Sequence, residues 1–142
     1  MADLRVVDSW ALVAWVRDES AASAVEAYLV QAAAGNSVLF MSMFNVAETF
    51  YILAKQNSMT VAEQFLRRMA SLPIRVVMPD EKGILAAARI KAAHAVALGD
   101  AFAIALAKSE NASVITGDEE IRRCKLVRVD WVGCNPKLKR RI

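Results

Sequence analysis

Residues 4–16 read LRVVDSWALVAWV: a short β-branched apolar run, Leu4 to Val7, stops at Asp8 and passes straight into an apolar helical stretch from Ser9 to Arg17. A strand that ends on an acid and turns directly into a helix is the opening of an alternating α/β chain. The same alternation continues to the far end. Helical patterns cover 21–34, closed by Gly35, then 44–56 and 61–71, where Thr60 with Glu63 spells a capping box. Strand patterns cover 37–41, 74–78 between Pro73 and Pro79, 112–116 and 126–129. Helices are expected over 81–96, over 101–109 after a break at Gly99-Asp100, and over 119–123.

The strands are near-continuously apolar rather than alternating, which suits a parallel sheet buried on both faces. Long helical crossovers between them require the same arrangement. The expected fold is a three-layer α/β/α sandwich with a central, mostly parallel sheet of four to five strands. Residues 1–134 form the expected domain, and 135–142 a basic tail.

Bulk composition narrows the function classes. A hydrophobic share of 56% against 23% charged residues excludes a disordered chain. No apolar run reaches the roughly 18 residues of a membrane span, and Asp3 and Asp8 interrupt the N-terminus where a signal peptide would be apolar, so a cytoplasmic protein without membrane partners is expected. Cys124 and Cys134 are too few for a disulfide framework or a four-cysteine zinc site. The net charge of +3 is concentrated at the end: Lys137, Lys139, Arg140 and Arg141 carry four positive charges, and the remaining 14 basic residues face 15 acidic ones. Such a tail either attracts phosphate backbones through counterion release or is a solvated terminus.

Ligands of open α/β sheets bind at the carboxyl ends of the strands. Asp8 follows the first strand there, and Asp118 the fourth, in Thr116-Gly117-Asp118. Asp100 opens a helix after Gly99. Each of these aspartates also fits a helix N-cap, and a carboxylate with two oxygens can do both jobs. Glu48 is harder to explain, because the helix around it is apolar on both sides: Phe44, Tyr51 and Ile52 share its stripe, and Val46, Phe50 and Leu53 lie opposite. A buried carboxylate costs several kcal/mol unless it is paired, and no Lys or Arg is spaced to pair with it within its helix. A distant arginine would make it structural.

Convergence of the four acids would be costly without a counter-charge. Each like-charge pair at ~4 Å costs about 4 kcal/mol at an effective dielectric near 20. The group would hold protons or a cation. Ligation by oxygen alone suits Mg²⁺ or Mn²⁺ and argues against zinc, and carboxylate clusters holding such ions hydrolyse phosphodiesters.

The stretches VVDSWALVAWV, SMFNVAETFYIL, LGDAFAIALA and VITGDEEI, in this order from about residue 4 to 130, resemble the PIN-domain nucleases. The resemblance implies metal ligation or water activation by Asp8, Glu48, Asp100 and Asp118, with Ser9 and Thr116 supporting the carboxylates by hydrogen bonds. Asn45, three residues before Glu48, could reach the site or the RNA. Trp10 is bulkier than the small residue common at its position in the family and is expected to pack in the core or between subunits. Glu119 and Glu120 supply a further acid or merely complement the helix dipole. Compact members of this length resemble toxins of the VapC kind, which implies a Mg²⁺- or Mn²⁺-dependent endoribonuclease, a homodimer, and a cognate antitoxin.

Other chemistries fit poorly. His94 is the only histidine, in an Ala-rich helical stretch, and no G-x-S-x-G is present, so a serine triad has little support, and a two-histidine ribonuclease mechanism is excluded within one chain. There is no phosphate-binding G-x-x-x-x-G-K-[ST] loop. Trp10 stands where the D-x-D of an aspartyl phosphatase would carry its second acid, and the paired acid that a response-regulator receiver needs after its first strand is missing. The alternatives that remain are a non-catalytic RNA- or protein-binding module, with the acids as caps, and a nuclease acting on DNA.

Overall fold

The structure, a computed structural model, describes residues 2–134. The tail residues Lys137, Lys139, Arg140 and Arg141, expected to touch RNA, lie outside the described residues. In chain order the elements are β1 (Asp3–Val7), α1 (Ser9–Val16), α2 (Ala22–Ala33), β2 (Ser37–Ser42), α3 (Met43–Gln56), α4 (Met59–Met69), β3 (Ile74–Val77), α5 (Glu81–Ala93), α6 (Leu98–Glu110), β4 (Ser113–Thr116), α7 (Glu119–Cys124) and β5 (Val129–Trp131). The five strands pair in the order β3-β2-β1-β4-β5, and every pair is parallel.

Alternate side chains of each strand point to opposite faces, and the apolar runs fill both. Val7, Leu39, Met41 and Ile115 pack against α1–α4. Their neighbours Val6, Phe40 and Val114 pack against α5–α7. This is the physical content of the unbroken apolar strands: two separate cores share one sheet. Where the layers meet, Phe44 of α3 stacks on Phe102 of α6 at 4.2 Å between ring centroids.

The strand order places the functional end. From β1 the chain steps outward to β2 and β3, then returns across the sheet to β4 on the other side of β1. β1 and β4 therefore flank a topological switch point, where the loops diverge and leave a crevice at the carboxyl ends of the strands. The register Val6↔Val114 and Val7↔Ile115 sets Asp8 beside Thr116 at this crevice.

Local expectations fail in three places. Thr60 is not a cap: Ser58 is extended, its Oγ accepts from the Val61 amide at 3.1 Å, and α4 already starts at Met59. The last strand lies three residues later than its apolar pattern. Lys125 takes a left-handed φ of 57°, Leu126 and Val127 pack on the α5–α7 core instead of the ladder, and pairing with β4 begins at Val129. Gly99 and Asp100 do not break a helix but sit in the first turn of α6.

Candidate metal centre

Asp8 caps α1. Its Oδ1 accepts from the Ala11 amide at 2.9 Å, while Oδ2 is buried without a hydrogen-bond partner. The residue is 2% exposed. Burial raises its pKa from 3.8 to about 7; the Thr116 hydroxyl and the Ala11 amide resist the rise, and the charges of Asp118 and Glu48 add to it. Asp118 caps α7 in the same manner, its Oδ1 accepting from the Glu120 amide at 2.9 Å. Thr116 ties that turn together, because its Oγ1 accepts from the Asp118 amide at 2.9 Å.

Asp100 is no cap. Ala97 holds the N-cap position of α6, and Asp100 lies one turn in, where a carboxylate faces the positive end of the helix dipole. Its Oδ2 is also buried and unpartnered. Burial first, then the charge of Asp118, a hydrogen bond with Glu120, and the charges of Asp8 and Glu120 push its pKa up to about 8. Oxygens of Asp100, Asp118 and Glu120 all lie within 4.8 Å of one another.

Glu48 enters from α3 on the other wall of the cleft, which Asp100 and Asp118 also line. The Ser9 hydroxyl donates to its Oε1, and Asn45 Nδ2 donates to the same oxygen at 3.3 Å and to the Gly99 carbonyl at 3.0 Å. Asn45 is fully buried, so these bonds fix both α3 and the first turn of α6. A Cβ at Gly99 would collide with the Glu48 carboxylate, which explains a glycine inside a helix. Among the described residues Glu48 forms no ion pair with Arg or Lys.

The donor set fits a hard cation. One buried carboxylate oxygen on Asp8 and one on Asp100 lack a hydrogen-bond partner, a costly state that a proton or a bound cation relieves; the group within 4.8 Å comprises Asp100, Asp118 and Glu120, without Asp8 or Glu48. All the donors are oxygens, as Mg²⁺ and Mn²⁺ prefer.

A PIN-domain sequence profile matches residues 5–126. The chain belongs to the PIN domain family.

Solved structures show how widely this PIN fold is shared. VapC20 of Mycobacterium tuberculosis, a sarcin-ricin loop cleaving toxin, superposes with a TM-score of 0.73 at 15% identity, covering 88% of this chain and 98% of that one. The DNA-bound VapBC of Salmonella typhimurium gives 0.70 at 15%, covering 93% and 99%. VapBC-1 of nontypeable Haemophilus influenzae gives 0.65 at 16%, covering 91% and 98%. At these identities the likeness is one of fold. No curated protein sequence matches the chain.

Three residues at the cleft of this PIN domain sharpen or correct what the sequence implies. Of the two acids that the sequence offers beside Asp118, Glu120 joins Asp100 and Asp118, and its Oε2 also accepts from the Ala97 amide at 3.1 Å, tying α7 to the start of α6. Its signal was visible as an acid two residues after Asp118, but a first-turn Glu has an ordinary helical explanation. Glu48 is half-buried at the cleft wall, not sunk in the core. Trp10 packs against the α1–α4 core, as expected, and also lines the same cleft, with its ring lying where a Cβ on Gly117 would be. Its bulk is accommodated by the glycine before Asp118. No helix among the described residues is long and apolar enough to cross a membrane.

Proposed function

We propose that the protein is a Mg²⁺- or Mn²⁺-dependent endoribonuclease, and the toxin of a toxin–antitoxin pair. The observation that carries the metal-dependent reading is the group of Asp100, Asp118 and Glu120 oxygens within 4.8 Å of one another at the cleft, with a buried, unpartnered oxygen on Asp100 and another on Asp8, which follows β1 at the β1/β4 switch point. Membership of the PIN family and the fold shared with VapC toxins support the nuclease and toxin roles.

In this reading Asp8, Asp100 and Asp118 hold the cation, with Glu120 beside them. When bound, a divalent cation supplies charge neutralisation at the phosphate and eases deprotonation of a water. Glu48 acts on the proton. Ser9 and Asn45 occupy its Oε1, so the second oxygen, Oε2, is left to accept a proton from the attacking water. Ser9, Asn45 and Thr116 are positioning residues: they orient Glu48 and the Asp118 turn. The antitoxin would act by occluding this cleft, and the active form would be a homodimer acting in the cytoplasm.

Incubating the protein with RNA in Mg²⁺, with and without EDTA, tests the enzyme reading. Internal cleavage that EDTA and Asp118→Asn both abolish is expected. Cleavage that survives both would overturn it, and cleavage of DNA in preference to RNA would reassign the substrate. Growth arrest on expression, relieved by co-expressing the adjacent reading frame, is expected of the toxin role. Unimpaired growth with active enzyme present would refute that role.

A further inference from the structure

The cleft does not end at the carboxylates. With a volume of about 370 Å³ it continues down the groove between α1 and α3. Residues spaced by four on each helix form its walls: Ser9, Val13 and Arg17 on one side, Glu48, Ile52 and Gln56 on the other. Both walls run polar, apolar, polar. Eight residues of helix separate the acidic end from the far end, about 12 Å, a span that a nucleotide or two of single strand covers.

The far end is closed by Arg17, whose Nη1 donates to Gln56 Oε1 at 2.6 Å and lies 3.5 Å from the Glu19 carboxylate. Among the described residues Arg17 is the one cation lining this cleft. A polyanion whose scissile phosphate lies among carboxylates needs a positive contact further along, and a guanidinium is matched to phosphate geometry. Between the two ends the groove is apolar, lined by half-buried Ile52 and by the edge of the buried Val13, a surface suited to the face of a base. Trp10 adds an aromatic edge beside the acids.

We infer that the α1–α3 groove is a nucleotide subsite next to the scissile position, with Arg17 binding the neighbouring phosphate and Glu19 holding Arg17 in place until that phosphate displaces it. This rests on the nuclease reading given above. It adds a substrate-binding residue remote from the carboxylates, and it gives Glu19 an inhibitory role in the free protein.

Anisotropy of a short fluorescein-labelled oligoribonucleotide, measured in EDTA over a series of KCl concentrations, tests the subsite apart from cleavage. Arg17→Ala is expected to weaken binding roughly tenfold or more at low salt and to lower the slope of log K against log salt by ~0.7, the share of one single-strand phosphate contact. Glu19→Gln is expected to tighten binding, a gain that misfolding cannot imitate. In Mg²⁺, Arg17→Ala should raise KM and leave kcat in place. An unaltered salt slope in Arg17→Ala, or Glu19→Gln binding no tighter than wild type, overturns the proposal. Wild type that binds with an Arg17-dependent slope yet never cleaves counts against the nuclease reading and supports the subsite. Wild type that cleaves with the same KM as Arg17→Ala counts against the subsite alone.

Discussion

Replacing Asp8 by Asn should make the metal-free protein more resistant to unfolding as pH rises, while removing its response to Mg²⁺. Asn keeps the Oδ1 that caps α1 through the Ala11 amide and deletes a charge that burial penalises. The folded-state pKa of Asp8 is raised from 3.8 to about 7. Its contribution to stability is therefore complete below the unfolded value and is lost as pH climbs through the folded value. At about 1.36 kcal/mol per pKa unit the full loss is about 4 kcal/mol, of which roughly 2–3 kcal/mol falls between about pH 5 and about pH 8. An amide NH₂ placed where Oδ2 has no partner costs about 1–3 kcal/mol, but that cost does not vary with pH. The difference in unfolding free energy between Asp8→Asn and wild type should thus grow by roughly 2–3 kcal/mol across this range, read by urea denaturation in EDTA. Saturating Mg²⁺ should stabilise wild type and leave the variant nearly unmoved. Parallel pH profiles for the two proteins would refute the claim that Asp8 carries a buried, uncompensated charge.

Mg²⁺ binding near neutral pH should expel about one proton or more from Asp8 and Asp100, whose pKa values lie near 7 and 8; calorimetry in buffers of different ionisation enthalpy measures it, and binding without proton release would contradict the assignment. Gly99→Ala should displace the Glu48 carboxylate that occupies the Cβ position and lower kcat on the order of a hundredfold, with circular dichroism unchanged; a fully active variant would show that the position of Glu48 is not critical. Deleting residues 137–142, which carry four basic side chains, should reduce the salt slope of RNA binding by up to about 3; an unchanged slope assigns the tail to solvation or to a protein contact.

Much of this organisation was legible from sequence because parallel sheets impose strong patterns. Asp8 and Asp118 terminate apolar strands, and strand ends are where open α/β sheets bind ligands. Glu48 stood out as a carboxylate on an otherwise apolar helix. The helix pattern gave no hint that Gly99 makes room for it, since that is a contact between α3 and α6, distant in sequence. Asp100 looked like a cap because caps and first-turn acids share a composition, and only the backbone at Ala97 separates them. Glu120 was ambiguous for the same reason. The groove along α1 and α3 was hidden altogether: Arg17 and Gln56 are 39 residues apart, and the packing of α1 on α3 that joins them follows from the tertiary fold.

A crystal grown with Mn²⁺ and measured for anomalous scattering tests the central claim most directly. An anomalous peak between the carboxylates of Asp8, Asp100 and Asp118, within ligand distance of the oxygens that have no partner in the protein, is the predicted result. A map that places the ion elsewhere, with Asp8 Oδ2 and Asp100 Oδ2 each satisfied by protein or water alone, would contradict it.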